Sequence, residues 1–468
     1  MRRASSVEAA APYALAAVVA LAYVMTLTAP VFGDDRRFIE NAPFLLVPFS
    51  EFIRGLFSRD YLFLTGEGTY QPLVTLFHYL THGHPAVYRA CGILLHAVNA
   101  CLVYRVALRL KAAPVPAFLV AMLFALFPAH PEVLIISSFK GTLLAVAFSL
   151  SALLCWMSAL ENGSRRGVAG AFLFFTLALA SKETGVLIPG LLAAYSLMFA
   201  RRKYPDLQRR AGLGFALVAS CYLFWRFRGL ERILDPVTPH SPLLLFGWYL
   251  KTLVWPHPLC RERLAPAGSS WYALCGLFVL ALWAARRRPE VLFGLLLLAL
   301  GLLPVLQRAQ TYMDSPVADR YVYFSSAGFA LALGLAARGP AVTAALTTVA
   351  LLWGVLTVQR NLLYRNTRAL YEQTVVCAPG HFKAWGVLAE SQLNSGELAA
   401  AQTSSRKAVT LNPYYPGALK IWALSSFRLQ DYDQARDAVR LELELFPSEM
   451  LQMRLDDLER YPKTGRRR

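Results

Sequence analysis

Residues 127–160 read FPAHPEVLIISSFKGTLLAVAFSLSALLCWMSAL. The last twenty of them, 141–160, contain no Asp, Glu, Lys or Arg. A helix of that length rises about 30 Å, the thickness of a bilayer's hydrocarbon core. The stretch before it is different: His130, Glu132 and Lys140 stand among Pro128 and Pro131. Charges there are costly at membrane depth unless they are paired, hydrated or used. The whole stretch therefore reads as a spanning helix with a polar, proline-bent approach at one end.

Comparable apolar runs lie at about 12–30, 88–109, 113–128, 167–180, 184–199, 211–226, 270–285, 289–305, 320–337 and 340–358. With 141–160 that makes eleven. The 468-residue chain is 56% hydrophobic and only 16% charged, with mean hydropathy +0.42. Soluble proteins carry about 25% charged residues. These values exclude a soluble multidomain protein, a disordered chain, a collagen-like rod and a disulfide-knotted secreted domain. They point to an all-α polytopic membrane bundle of about 11 spans. The first run, preceded by Arg2 and Arg3, is long enough for a retained span. A cleaved signal peptide is the alternative, and either one translocates the segment after it.

The net charge is +18, from 47 Lys and Arg against 29 Asp and Glu. Such a balance suits nucleic acid, anionic lipid or topology signals, and position decides between them. Clusters stand at Arg2-Arg3, Arg165-Arg166, Arg201-Arg202-Lys203 with Arg209-Arg210, and Arg286-Arg287-Arg288. Eleven spans place all of these on the cytoplasmic side, as the positive-inside bias requires. Residues 31–87 and everything after 358 then face outward. Arg226, Arg228, Arg232, Arg261 and Arg263 run against the bias. The run at 241–258 is read as an interfacial or re-entrant helix, because a twelfth span would turn the Arg286 triplet outward. No folded module carries a groove-binding element, so nucleic acid is not an expected partner. Of seven cysteines, Cys91, Cys101, Cys155, Cys221 and Cys275 lie in apolar runs and only Cys260 and Cys377 in exposed segments, which is not a disulfide framework.

Beyond about residue 360 the chain becomes soluble and helical in pattern, and it repeats. Ala401 and Ala435, Leu388 and Trp422, Leu398 and Tyr432, and Pro413 and Pro447 are each 34 residues apart, with Pro379 a further step upstream. That is the tetratricopeptide period, a helix pair with small residues where the helices touch. Gln430 stands where Gly396 supplies the inter-helix glycine. Two full repeats at about 380–447 are flanked by a half-repeat and a capping helix. Three are normally needed for independent stability, so the array is expected to pack against the membrane body.

Few outer charges remain as candidates for chemistry. Asp34 and Asp35 follow the first span. Adjacent carboxylates can hold a divalent cation or act as a general base, or they are solvated loop residues capping a helix near Phe38. His130 and Glu132 can ligate a metal or hydrogen-bond a sugar, and Lys140 can hold a phosphate. A proline-bent helix start with an interfacial lysine is the alternative. Lys182 and Glu183 form an outer hairpin and can simply pair with one another. Arg320 is a phosphate clamp or, beside Tyr321 and Tyr323, an interface anchor. No GxxxxGK[ST] loop, paired CxxC or GxSxG elbow is present, which argues against ATP hydrolysis and serine hydrolase chemistry.

The ordered set of motifs resembles a known family. Asp34-Asp35 with Ile39-Glu40-Asn41 comes first, then Gly68-Thr69-Tyr70-Gln71-Pro72-Leu73, His96 with Asn99, and Pro128-Ala129-His130-Pro131-Glu132. Ser181-Lys182-Glu183, Trp255-Pro256-His257-Pro258-Leu259, Ala318-Asp319-Arg320-Tyr321, Gln359-Arg360-Asn361 and Tyr371-Glu372 follow. Through nearly its whole length the chain resembles the GT-C glycosyltransferases. Within them it is similar to the transmembrane-and-tetratricopeptide O-mannosyltransferases and their bacterial relatives. Three positions depart from the pattern: Gln71 replaces an arginine, Phe127 a histidine, and Thr142 an acid. These bear on substrate and phosphate contacts more than on class.

The resemblance implies a catalytic membrane domain over 1–359 and an outer repeat domain over 360–468. It implies inverting transfer of a sugar from a polyprenyl-phosphate donor to a protein or glycan acceptor on the extracytoplasmic face. Asp35 or Asp34 is then the base, with Asp34 and Asp35 also the residues for any divalent metal ion. His130, Glu132, Lys140, Lys182, Glu183 and Arg320 are the substrate-binding set. The repeats are expected to present a protein or peptide acceptor, or an assembly partner. A non-catalytic scaffold and a lipid-linked oligosaccharide ligase or polymerase are the competing readings. Terse loops and no retention signal favour a bacterial inner membrane.

Overall fold

The structure is a computed structural model. It describes residues 6–31, 35, 43–58, 70–81, 84–201, 203–230, 241–258, 260–264, 266, 268–308 and 317–462. Every regular element among them is helical. In chain order these are α1 (Ser6–Tyr23), α2 (Phe49–Ser58), α3 (Pro72–Leu80), α4 (Pro85–Arg109), α5 (Pro114–Ala125), α6 (Pro131–Ile135) and α7 (Lys140–Asn162). Then come α8 (Arg165–Ser181), α9 (Ile188–Phe199), α10 (Pro205–Leu230), α11 (Pro242–Val254), α12 (Ser270–Ala285), α13 (Pro289–Arg308), α14 (Tyr323–Ala336) and α15 (Pro340–Tyr364). The chain closes with α16 (Thr367–Cys377), α17 (Phe382–Asn394), α18 (Leu398–Leu411), α19 (Pro416–Arg428), α20 (Tyr432–Leu445) and α21 (Glu449–Glu459). Many begin at proline, whose fixed φ suits the first turn and whose missing N–H would have no partner there.

The chain divides into two compact units. The first comprises Met1–Leu259, Pro266–Met313 and Asp319–Arg365. It is a helical membrane bundle. Among the described residues, five of its helical stretches are long and apolar enough to cross a bilayer: Glu8–Thr28, Pro85–Arg109, Ser137–Asn162, Pro289–Leu306 and Pro340–Tyr364. The other expected spans are helical but in part shorter. The run at 113–128 stops at Ala125, and the one at 184–199 starts as a 3-10 turn before α9. The 241–258 segment forms α11, only 13 residues long. Exposed Leu277, Leu280 and Trp283 on α12, and Leu351, Leu352 and Val355 on α15, suit contact with lipid. Helices α13 and α14 approach closely at Gly328, where a Cβ would lie 2.3 Å from the Leu298 backbone nitrogen. Small residues permit such packing in membranes.

The second unit comprises Cys260–Ala265, Asp314–Ala318 and Asn366–Arg468. Its helices Phe382–Asn394 and Leu398–Leu411 recur 34 residues later as Pro416–Arg428 and Tyr432–Leu445. Asn366, His381, Asp431 and Ser448 cap helix starts by accepting backbone N–H groups. Gly396 and Gln430, one repeat apart, both take positive φ (79° and 60°) at the turn between paired helices. Cys260 and Cys377, the two cysteines outside the apolar runs, form a disulfide within this unit.

Candidate active site

The polar approach to α7 is where the bundle stops being regular. Pro128 and Pro131 cannot donate hydrogen bonds, so the chain between α5 and α7 is broken into a short helix and a 3-10 turn (Ser137–Phe139). Breaking a helix inside a bundle strands backbone donors and acceptors. Two buried charges serve them. Asp35 accepts the Ser137 amide at 2.7 Å on Oδ2 and the Ser138 amide at 3.1 Å on Oδ1. Lys140 donates from Nζ to the carbonyls of Leu134 (2.5 Å), Ile136 (3.3 Å) and Val133 (3.4 Å). Asp35 is 1% exposed and Lys140 fully buried. Burial raises the Asp35 carboxyl above its ordinary range, and the two amides and the Lys140 charge pull it part of the way back.

Glu132, also fully buried, turns to the next broken segment. It accepts Arg320 Nη1 at 2.8 Å on one oxygen and the Arg320 amide at 3.0 Å on the other. The guanidinium lies over the rings of Phe139 (4.6 Å) and Tyr321 (4.7 Å). Beside it Arg360 and Asp319 form a second buried ion pair at 2.6 Å. Each carboxylate thus anchors a neighbouring arginine before any ligand is considered.

Lys182 donates to Thr142 Oγ1 at 2.8 Å, joining the hairpin after α8 to the first turn of α7. Thr142, Val146, Lys182, Glu183, Thr184, Gly301, Pro304, Val305, Arg320, Tyr321 and Phe324 line one cleft. The cleft is narrow, with a cavity volume of about 40 Å³. Its lining mixes two cations, Lys182 and Arg320, and one carboxylate, Glu183, with apolar residues of α7, α13 and α14.

Deeper in the bundle a hydrogen-bond network fixes proton positions. His96 Nε2 faces the Ala125 carbonyl at 3.0 Å and must donate to it, so Nδ1 accepts the Tyr323 hydroxyl at 2.8 Å. Tyr323 in turn accepts Asn99 Nδ2 at 3.0 Å. Ser326 Oγ donates to the Tyr323 carbonyl, so His130 Nε2 donates to Ser326 Oγ at 2.9 Å.

The expected site residues therefore separate. Lys182, Glu183 and Arg320 meet in the cleft, with Glu132 behind Arg320. Lys140 and His130 are fully buried and do not line the cleft; they hold the bundle together. Asp35 is buried beside them, and Asp34 lies outside the described residues. Among the described residues no three His, Cys, Asp or Glu side chains converge as metal ligands. Each Asp35 oxygen accepts one amide, which leaves a further acceptor site on each. Tyr321, Thr184, Val305 and Phe324 also line the cleft. Tyr321 and Thr184 adjoin Arg320 and Glu183 in the sequence, whereas Val305 and Phe324 carry no such signal.

A family model described as dolichyl-phosphate-mannose-protein mannosyltransferase matches residues 70–225, which include α7, Lys182 and Glu183. Protein O-mannosyl-transferase TMTC2 of Mus musculus is 29% identical over 227 residues, covering 43% of this chain and 26% of that protein. Protein O-mannosyl-transferase TMTC4 of Homo sapiens is 22% identical over 424 residues, covering 72% of this chain and 57% of that protein. The chain thus spans between about a quarter and three-fifths of the length of these relatives. The comparisons agree with the resemblance to GT-C glycosyltransferases of the transmembrane-and-tetratricopeptide kind.

Proposed function

We propose that the chain is a membrane glycosyltransferase that moves a sugar from a polyprenyl-phosphate donor to a hydroxyl group of a protein or glycan. The observation that carries this reading is a cleft whose lining combines Lys182 and Arg320 with apolar residues of three bundle helices. A lipid-linked donor combines a phosphate with an apolar chain in the same way. Its phosphate is placed at Lys182 and Arg320, its first isoprene units along Val146, Pro304, Val305 and Phe324. Glu132 and the rings of Phe139 and Tyr321 hold Arg320 in place before the donor arrives, so little reorganisation accompanies departure of the phosphate.

The reaction is a single inverting displacement at the anomeric carbon. The acceptor oxygen forms the new bond, the phosphate oxygen leaves with its electron pair, and a carboxylate takes the hydroxyl proton. Asp35 is assigned as that base: it follows the first span, and burial raises its affinity for a proton. Glu183 is the rival, because it lines the cleft itself. The paired helices after residue 366 are assigned as tetratricopeptide repeats that dock a polypeptide acceptor or partner. The cleft and the repeats are assigned to the extracytoplasmic side, which in the bacterial inner membrane expected from the sequence is the periplasm. The Cys260–Cys377 disulfide supports that side for the second unit, since structural disulfides persist in oxidising compartments.

The test is mass spectrometry of glycoproteins and lipid-linked sugars in cells carrying wild type, Asp35→Asn or Glu183→Gln at matched membrane abundance. Loss in Asp35→Asn with accumulation of a monophosphate-linked sugar supports the reading, and loss in Glu183→Gln alone moves the base to Glu183. Accumulation of a diphosphate-linked oligosaccharide supports a ligase instead. Full glycosylation in both variants sinks the carboxylate mechanism.

A further inference from the structure

Glu442 stands one repeat after Ala408, a small residue fully buried where helices touch. A carboxylate in an alanine's place is itself only 3% exposed. Among the described residues no donor lies within hydrogen-bond or ion-pair distance of it. Packing does not explain this choice, because the carboxyl group opens on two clefts instead of sealing a helix contact. Two clefts between α19, α20 and α21 adjoin at this residue and share Lys420, Glu442 and Arg454. Lys420 and Arg454 are exposed, and neither is in an ion pair among the described residues. They too stand 34 residues apart, so the repeat presents them from successive helices of one face. The fourth charged residue of the clefts, Asp457, is engaged by Arg460 at 3.3 Å. The walls are apolar and partly exposed: Leu424, Phe427, Phe446 and Met450.

We infer that these joined clefts are a docking site for an extended acidic peptide segment, its backbone N–H donating to Glu442 and its carboxylates meeting Lys420 and Arg454. The chemistry selects this occupant. An ionised carboxylate only accepts hydrogen bonds, and an extended chain offers an N–H toward one side at every second residue. Two free cations flank it, so the ligand's own side chains are anionic, alternating with apolar ones that cover Leu424 and Phe446. Burial raises the Glu442 carboxyl, and Lys420 and then Arg454 oppose that, so the two cations help keep it an acceptor. The inference rests on the reading that the second unit docks a polypeptide and names the class of that polypeptide.

Fluorescence anisotropy on the full chain in detergent tests it, with a short labelled peptide of alternating leucine and glutamate as probe. A leucine–lysine peptide is the control. The acidic peptide binds more tightly, and its affinity falls as salt rises. Glu442→Ala weakens it about tenfold, the loss of one charge-assisted hydrogen bond. Lys420→Glu with Arg454→Glu abolishes binding, and both residues are exposed, so the fold survives the change. Equal binding of the two peptides, preference for the basic one, or unchanged affinity in Glu442→Ala overturns the inference. So does a shift in oligomeric state caused by the charge reversals, which assigns the face to a second copy of the chain. Asp35→Asn keeps peptide binding whatever it does to transfer, so failure of one reading is distinguishable from failure of the other.

Discussion

Buried charge is treated differently in the two units. In the membrane bundle Asp35 holds two amides, Lys140 three carbonyls, Glu132 holds Arg320, and Asp319 holds Arg360. In the second unit Arg436 is buried and holds Asp433 and the Leu458 carbonyl, whereas the Glu442 carboxyl opens on a cleft and holds nothing among the described residues. Hydrocarbon supplies no water to a stranded polar group, so a charge at membrane depth persists only with partners in the protein. Where the bundle's helices break, those charges become the partners of the broken backbone. The Glu442 carboxyl, open to a cleft, needs no partner in the protein and stays available.

The contrast can be broken most forcefully at the cleft. Lys182→Ala and Arg320→Ala should each lower transfer by about 10²–10³, the cost of removing one donor from developing negative charge. Glu132→Gln should do less if its task is to hold Arg320. Steady-state transfer at saturating donor measures all three, and an unchanged rate in Arg320→Ala would place the phosphate elsewhere.

Removing one partner of the Arg360–Asp319 pair comes next. Arg360→Met leaves a buried carboxylate and should destabilise the bundle by about 3–5 kcal/mol, and adding Asp319→Asn should recover part of that. Thermal unfolding in detergent reads both. No recovery in the double variant would show that the pair is not the unit of stability. At Glu442 the same operation should leave stability nearly unchanged, since it strands no partner among the described residues.

The pH dependence sharpens the role of Asp35. Its carboxyl is raised by burial, and a base works only when ionised, so transfer should fall on the acid side at a pH above the ordinary Asp range. For the same reason its ionised form is disfavoured in the folded state, and its contribution to stability declines as pH rises through the folded value. An acid limb lying within the range of exposed carboxylates would remove Asp35 as the base.

The smallest effect concerns the repeat itself. Gln430 adopts φ of 60°, the left-handed conformation that Gly396 adopts one repeat earlier without a Cβ penalty. Gln430→Gly should stabilise the second unit by about 1 kcal/mol, read as a rise in its thermal midpoint. A fall would mean that the glutamine side chain contributes more than its backbone strain costs.

Much of the fold was legible in the residues because each signal was local. Uncharged runs set the bundle helices, prolines set where many of them start, and the 34-residue spacing set the paired helices of the second unit. The run at 113–128 was read too long because hydropathy does not register that Pro128 and Pro131 end a helix early. The candidate residues were legible as a list, since charge is rare in this chain. Their roles were not. Composition makes His130, Lys140 and Lys182 look alike, yet only Lys182 reaches the cleft. Glu442 and Cys260–Cys377 show the same limit in the second unit.

The sequence by itself determined what had to be helical, which stretches are apolar enough for a bilayer and which charges had to be accounted for. Those properties follow from composition and spacing along one segment. Only the tertiary structure decided which charges face a ligand and which satisfy the backbone. That choice depends on partners contributed from residues 102 positions away for Asp35 with Ser137 and 188 away for Glu132 with Arg320. Separations of that size leave no periodic trace in a chain, because they are closed by packing rather than by pattern.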